Sequence, residues 1–262
     1  MLQLKKSVRL DCLRQPFKKA LVTAATLGAD AIEINAATEI RPAELSRTGV
    51  RHLRKMLADL NLKVSAVNLP TRLGYDVVEG LDRRLDDTRA AMSMAYSLGT
   101  NVVVNRIGRI PADVLDPHWV TMVQALTDLG MFSQKSGAFL AARVGMEPVE
   151  HVEKLIESLP KHAIAIDFDP CEFLINGHSP NDAIQSLGAS VMNFRARDAV
   201  ADLSIGKTIE VELGRGSIDW PTLLGTLEEH NYRGFIAVER HGTDQPIFEL
   251  GQAVEYLTNL FR

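Results

Sequence analysis

The chain has 262 residues, 46% of them hydrophobic and 24% charged, with a formal net charge of −4, the profile of a soluble globular protein. Lysines and arginines are interspersed with acids, as in LDRRLDDTR at positions 81–89, so the clustered basic excess of a nucleic-acid binder is missing. Cys12 and Cys171 are too few for a disulfide framework or a zinc motif. The first residues, MLQLKKSVRLDC, lack the apolar stretch of a signal peptide, and no apolar run approaches the ~18 residues that would span a bilayer. The expectation is a cytoplasmic protein with no nucleic-acid or membrane partner.

Along the chain a unit recurs in which a helix ends on a glycine-containing breaker and a short β-branched run follows. TLGADAIEIN, SLGTNVVVN, KSGAFLAA, SLGASVMNF and HNYRGFIAVE are its copies. Glycine after the last helical residue can take the left-handed conformation that closes a helix. The runs are mostly apolar, as in strands buried on both faces. The pattern predicts strands at Ser7–Leu10, Ala31–Asn35, Lys63–Asn68, Asn101–Asn105, Ala138–Ala142, Ala163–Asp167, Val191–Ala196 and Gly234–Val238. Helices are predicted between them, near Pro16–Thr26, Thr48–Leu60, Glu79–Leu98, Asp116–Ser136, Pro148–Leu159, Asn181–Leu187, Trp220–Glu229 and Ile247–Phe261.

Eight such units in a chain of this length fit one (β/α)8 TIM barrel spanning residues 1–262. An open doubly wound sheet would carry a glycine-rich turn after its first strand, and DCLRQP has none. The longest irregular loops are expected after strands two, three, six (PCEFLINGH) and seven (DAVADLSIGKTIEVELGRGS), on the rim where barrel enzymes build their sites. The last strand, in GFIAVER, ends on Glu239 at that rim.

Two segments in order, DFDP…NGHSPNDAIQSLGASVMNFRARD and LGRGSIDWPTLLGTLEEHNYRGFIAVER, resemble the second half of the xylose isomerase-like TIM barrels. GADAIEIN and TGVRHLRKMLADLNLKVSAVNLP are compatible with the first half. The resemblance implies a sugar isomerase or epimerase acting on a small sugar or polyol. It also implies a divalent ion held by Glu, Asp, His and Glu after strands five to eight, with the two Glu residues as the acid/base pair. Mapped onto this chain, Asp169 and Glu239 keep the second and fourth positions and become the catalytic candidates. Arg143 and Arg195 stand at the first and third, and Glu172 stands where a further His often occurs.

Guanidinium stays protonated and has no lone pair to give a metal. The expectation is therefore no metal and no other cofactor, with Arg143 and Arg195 paired to Asp169 and Glu239. The ligand is either turned over or only bound, as in a non-catalytic descendant. Arg143, Arg195, Arg197, Asn68, Asn105, Glu172 and His241 are the substrate-binding candidates. Asp11, Asn68 and Asn105 suit hydroxyl recognition or the satisfaction of loop backbone. Arg106 and Arg109 suit an anion or the surface, and Asp198 suits an ion pair with Arg195 or Arg197. Glu147 and Glu150 read as acids at a helix start. An endonuclease reading fails for want of a histidine-rich rim and a basic surface. A homo-oligomer is compatible with the sequence.

Overall fold

The computed structural model describes residues 5–202 and 207–260. Its first half runs β1 (Lys5–Arg9), α1 (Phe17–Thr26), β2 (Ala31–Asn35), α2 (Arg47–Asp59), β3 (Lys63–Asn68), α3 (Leu81–Leu98), β4 (Val102–Arg106) and α4 (Pro117–Ser136). It continues with β5 (Phe139–Arg143), α5 (Val149–Ser158), β6 (Ala165–Phe168), α6 (Pro170–Ile175), α7 (Pro180–Leu187) and β7 (Val191–Ala196). It ends with β8 (Asp198–Asp202), β9 (Lys207–Val211), α8 (Trp220–Glu229), β10 (Phe235–Val238) and α9 (Pro246–Asn259). Eight strands close into a parallel barrel in the order β1-β10-β7-β6-β5-β4-β3-β2, so the fold is a (β/α)8 TIM barrel. Each expected strand is present within two residues. Among the described residues no helix is long and apolar enough to cross a membrane.

Two regions expected as irregular loops are ordered. PCEFLI forms α6, started by Asp169 as N-cap with Pro170 at the first helical position. The segment after β7 forms an antiparallel hairpin, β8 with β9, registered Asp198↔Val211 to Asp202↔Lys207. Its tip, 203–206, and Phe261 at the expected end of the last helix lie outside the described residues.

Most of the apolar core lies between the barrel and its helices, where Ile32, Ile34, Val103, Leu140, Ile166, Phe194, Ile236 and Val238 are buried. A separate cluster of Ala66, Val102, Val104, Ala141 and Ala165 sits on the alternate positions of β3 to β6. Alternation along a strand puts those positions on the inner face. The expectation of unalternating apolar strands is thus corrected: the inner face carries small residues below and charged ones two residues further on. Ala31 precedes Glu33, Ala141 precedes Arg143, Ala165 precedes Asp167 and Ala237 precedes Glu239.

Of the breaker glycines, Gly28, Gly99 and Gly137 are left-handed as expected. Gly188 is right-handed, φ −53°, and is required for another reason, since a Cβ there would overlap the His230 ring. Asp198 makes no ion pair with Arg195 or Arg197. Its carboxylate instead accepts the N–H groups of Gly214, Gly216 and Ile218 at 3.0, 3.1 and 3.3 Å and Trp220 Nε1 at 3.1 Å. It pins the Gly214–Asp219 loop against the hairpin. A Cβ on Gly216 would overlap Asp198 Oδ1. Gly216→Ala is therefore expected to lower the free energy of unfolding by about 1–3 kcal/mol, measured by urea denaturation. An unchanged midpoint would contradict this account of the loop.

Candidate functional site

The charged inner positions meet at the carboxyl ends of the strands. Arg195 on β7 is fully buried. Its Nε donates to Asp167 Oδ1 and Oδ2 on β6 at 3.0 and 2.8 Å. Nη1 donates to Glu239 Oε2 at 2.6 Å, and Nη2 to Glu33 Oε2 on β2 at 3.1 Å. One side chain therefore crosses the barrel and joins three carboxylates, every nitrogen committed. Arg143 donates from Nε to Asp167 Oδ2 at 3.0 Å and brings Nη1 to 3.6 Å from Glu239 Oε1. Arg9 on β1 donates to Glu239 Oε2 at 3.0 Å and forks onto Asp11 at 2.7 and 2.9 Å.

Arg143 and Arg195 do pair with or face Glu239, but the expected pairing with Asp169 is not formed. Asp169 is held by Arg197 Nη1 at 2.6 Å and spends Oδ1 on the Cys171 and Glu172 N–H groups of α6. β6 ends before Asp169, so the inward position belongs to Asp167. Four buried carboxylates, Glu33, Asp167, Asp169 and Glu239, are thus matched by four guanidinium groups from Arg9, Arg143, Arg195 and Arg197. Removing one partner of a buried pair costs far more than the pair gains over an apolar replacement.

The other candidates lie around this cluster. Glu172 takes a two-pronged ion pair from Arg106 at 3.0 and 2.9 Å. Asn105 is buried and donates to Thr71 Oγ1 and Tyr75 Oη at 3.1 and 3.0 Å. Asn68 is buried at the end of β3, its carbonyl accepting the Ala36 N–H. Asp11 accepts from Asn35 Nδ2 at 2.7 Å. Glu147 is not simply a helix-start acid, because its Oε1 accepts the Ile110 N–H at 3.0 Å and ties down the loop after β4. His241 is half exposed, with Nε2 3.6 Å from Glu239 Oε1. Glu210 on β9 accepts from Arg197 Nη2 at 3.0 Å and from the His241 N–H at 3.1 Å, closing one side of the mouth with the hairpin.

Glu239 Oε1 stands apart. It is buried without a hydrogen-bond partner among the described residues, and so is Arg197 Nε, which lies 3.6 Å away. Burial alone would raise the Glu239 pKa, but Arg195, Arg143, His241 and Arg9 outweigh it and hold the group well below the usual carboxylate range. Oε1 is therefore a buried anionic acceptor with unused hydrogen-bonding capacity, faced by Arg143, Arg197 and His241.

A divalent ion needs several oxygen or imidazole donors with free lone pairs around one position. Here the point where Glu33, Asp167 and Glu239 converge is filled by the Arg195 guanidinium. Among the described residues no group of three or more His, Cys, Asp or Glu side chains is arranged to hold a metal ion. The donor set does not fit one. A cavity of about 1040 Å³ opens at the opposite end of the barrel, lined by Lys63, Asn101, Val191 and Phe235, away from these charges.

The model of one protein family, described as xylose isomerase-like TIM barrel, matches residues 21–260. The chain belongs to that family. A xylose isomerase domain protein from Planctomyces limnophilus superposes with a TM-score of 0.84 at 21% identity, covering 99% of this chain and 97% of that one. A xylose isomerase-like TIM barrel protein from Mycobacterium smegmatis, solved in complex with magnesium, gives 0.77 at 17% identity, with 98% and 95% covered. A sugar phosphate isomerase/epimerase from Parabacteroides distasonis gives 0.74 at 15% identity, with 98% and 94% covered. At these identities the likeness is one of fold. No curated protein matches the chain.

Glu33, Asp167 and Arg9 escaped the sequence reading, although the small-x-charged spacing on each strand marks them. Arg195→Met strands three carboxylates and is expected to cost roughly 3–5 kcal/mol of stability, read from urea unfolding; a loss under about 1 kcal/mol would contradict the network. Because the folded Glu239 pKa is depressed, its contribution is complete above the unfolded value of about 4.5 and is lost as pH falls toward the folded value. The stability gap between wild type and Glu239→Gln should hold near neutral pH and narrow below pH ~4.5. A gap independent of pH would contradict the assignment.

Proposed function

We propose that the mouth of the barrel binds a small sugar or polyol without a divalent ion, the positive charge coming from guanidinium groups. The unpartnered Glu239 Oε1 carries this reading. A ligand hydroxyl placed there would donate to Oε1 and accept from Arg143 Nη1 or Arg197 Nε, each now 3.6 Å from that oxygen. Charge-assisted hydrogen bonds of this kind are short and directional, and His241 at the rim offers a further polar contact. Arg195 and Asp169, both fully buried with their polar atoms engaged, hold the contacting residues in place.

A second reading, proton transfer of the isomerase or epimerase type, is favoured by His241 beside Glu239. Glu239 would take the proton next to a carbonyl, the electron pair would move onto the carbonyl oxygen, and Arg143 would stabilise the resulting enediolate. His241 is the group placed to relay that proton. The depressed pKa of Glu239 makes it a weak base, so binding is the primary reading.

Calorimetric titration with neutral ketoses and polyols in EDTA tests it. Saturable binding is expected, weakened roughly 10–100-fold in Glu239→Gln, the loss of one hydrogen bond to a charged group. Absence of binding by every member of the panel, or unchanged affinity in Glu239→Gln, would overturn it. Deuterium uptake by a bound ketose in D₂O would select the proton-transfer reading.

A further inference from the structure

Beside the mouth a smaller cavity of about 200 Å³ opens between the loops that follow β3 and β4. Arg72, Arg106, Arg109 and Arg143 line it, with Glu147 as the one carboxylate in its wall among the described residues. It is smaller than the ~300–1,000 Å³ of a complete small-molecule site, so it suits one substituent of a ligand. Arg143 belongs to both this cavity and the Glu239 cluster, which makes the two spaces neighbours.

The acids around the cavity are already engaged or set back. Glu147 turns Oε1 to the Ile110 N–H, and Glu172 is committed to Arg106. Asp76 lies behind the Gly74–Gly108 backbone, where a Cβ on either glycine would overlap its Oδ1. Arg143 spends only Nε on Asp167, and two further cations keep unspent donors. Arg109 is exposed and makes no hydrogen bond or ion pair with another described residue. Arg72 approaches Glu79 at 3.8 Å, both side chains largely in solvent (84% and 79% exposed), a contact worth little. Guanidinium presents paired N–H donors in a fork that fits the oxygens of phosphate or carboxylate.

We infer that this cavity is an oxyanion subsite, in which Arg72 and Arg109 receive a phosphoryl or carboxylate group. It rests on the polyol reading only for the remainder of the ligand: an acidic sugar or sugar phosphate would place hydroxyls on Glu239 and its anionic end here, spanning Arg143. The positive wall would also draw such a ligand from solution and lose that pull as salt rises.

Inorganic phosphate and acetate, which carry no polyol, test the subsite alone. Each is titrated into the full chain at constant ionic strength set with chloride, and the melting temperature is followed. Wild type should show a saturable rise with at least one of them. The Arg72→Ala/Arg109→Ala double variant should bind roughly tenfold or more weakly, the loss of about one charge-assisted contact. Arg83→Ala, a change at an exposed helical arginine, should behave as wild type. The tighter of phosphate and acetate identifies the anionic group. No saturable rise with either, or equal affinity in the double variant, would overturn the proposal. A parallel titration with neutral D-fructose reports on the mouth independently, being sensitive to Glu239→Gln and insensitive to the double variant.

Discussion

Charge neutrality inside the barrel governs how the strand ends and rim loops of this chain are arranged. Carboxylates cannot be stripped of water inside the barrel unless cations or several N–H donors take its place. Arg195 meets three, from β2, β6 and the end of β10, and so couples strands that are not neighbours in the closed sheet. Beneath it lies a layer of buried apolar inner residues, Ala66, Val102, Val104, Ala141 and Ala165. Arg9, Arg143 and Arg197 complete the balance around it. The outcome is a mouth in which all but a few polar atoms are mutually engaged, and those few define where a ligand can add.

The surrounding loops serve that arrangement. Asp169 caps α6 and anchors Arg197, so one carboxylate sets both the helix and the cation. Asp198 gathers the Gly214–Asp219 loop, and the hairpin it begins carries Glu210 to Arg197 and His241. Gly214, Gly216 and the hairpin are thus structural supports for Glu239 and Arg197, the two members of the charge cluster that retain unpaired buried atoms. Family membership fixes the barrel and its rim; what happens at that rim depends on these particular side chains.

The fold was legible because periodicity and helix termination are local. Ala31–Asn35, Lys63–Asn68 and Val191–Ala196 match the structure residue for residue, since each is bounded by its own breaker. The partners within the site were less legible, because they depend on register between distant strands. Arg143 lies opposite Asp167 in the β5–β6 ladder, a relation that the D-P signal of Asp169 obscured. Glu33 looked like one acid in an apolar strand until closure of the barrel set it against Arg195. The hairpin after β7 was hidden because its pairing is between residues 198–202 and 207–211, in a segment read as rim loop. The alternation of small and charged inner residues was present in the sequence throughout, and gives the signal by which Glu33, Asp167 and Arg9 are found.

On the proposed function, guanidinium groups take the place of a divalent ion at the mouth. Elemental analysis of the purified protein, followed by melting with added Mn²⁺, Mg²⁺, Co²⁺ or Zn²⁺, tests it most directly. The expected result is no stoichiometric metal and no saturable rise in melting temperature with any of the four. One bound ion per chain, or a rise that saturates as a specific site fills, would contradict it and require Arg143 and Arg195 to move away from the carboxylates they now hold.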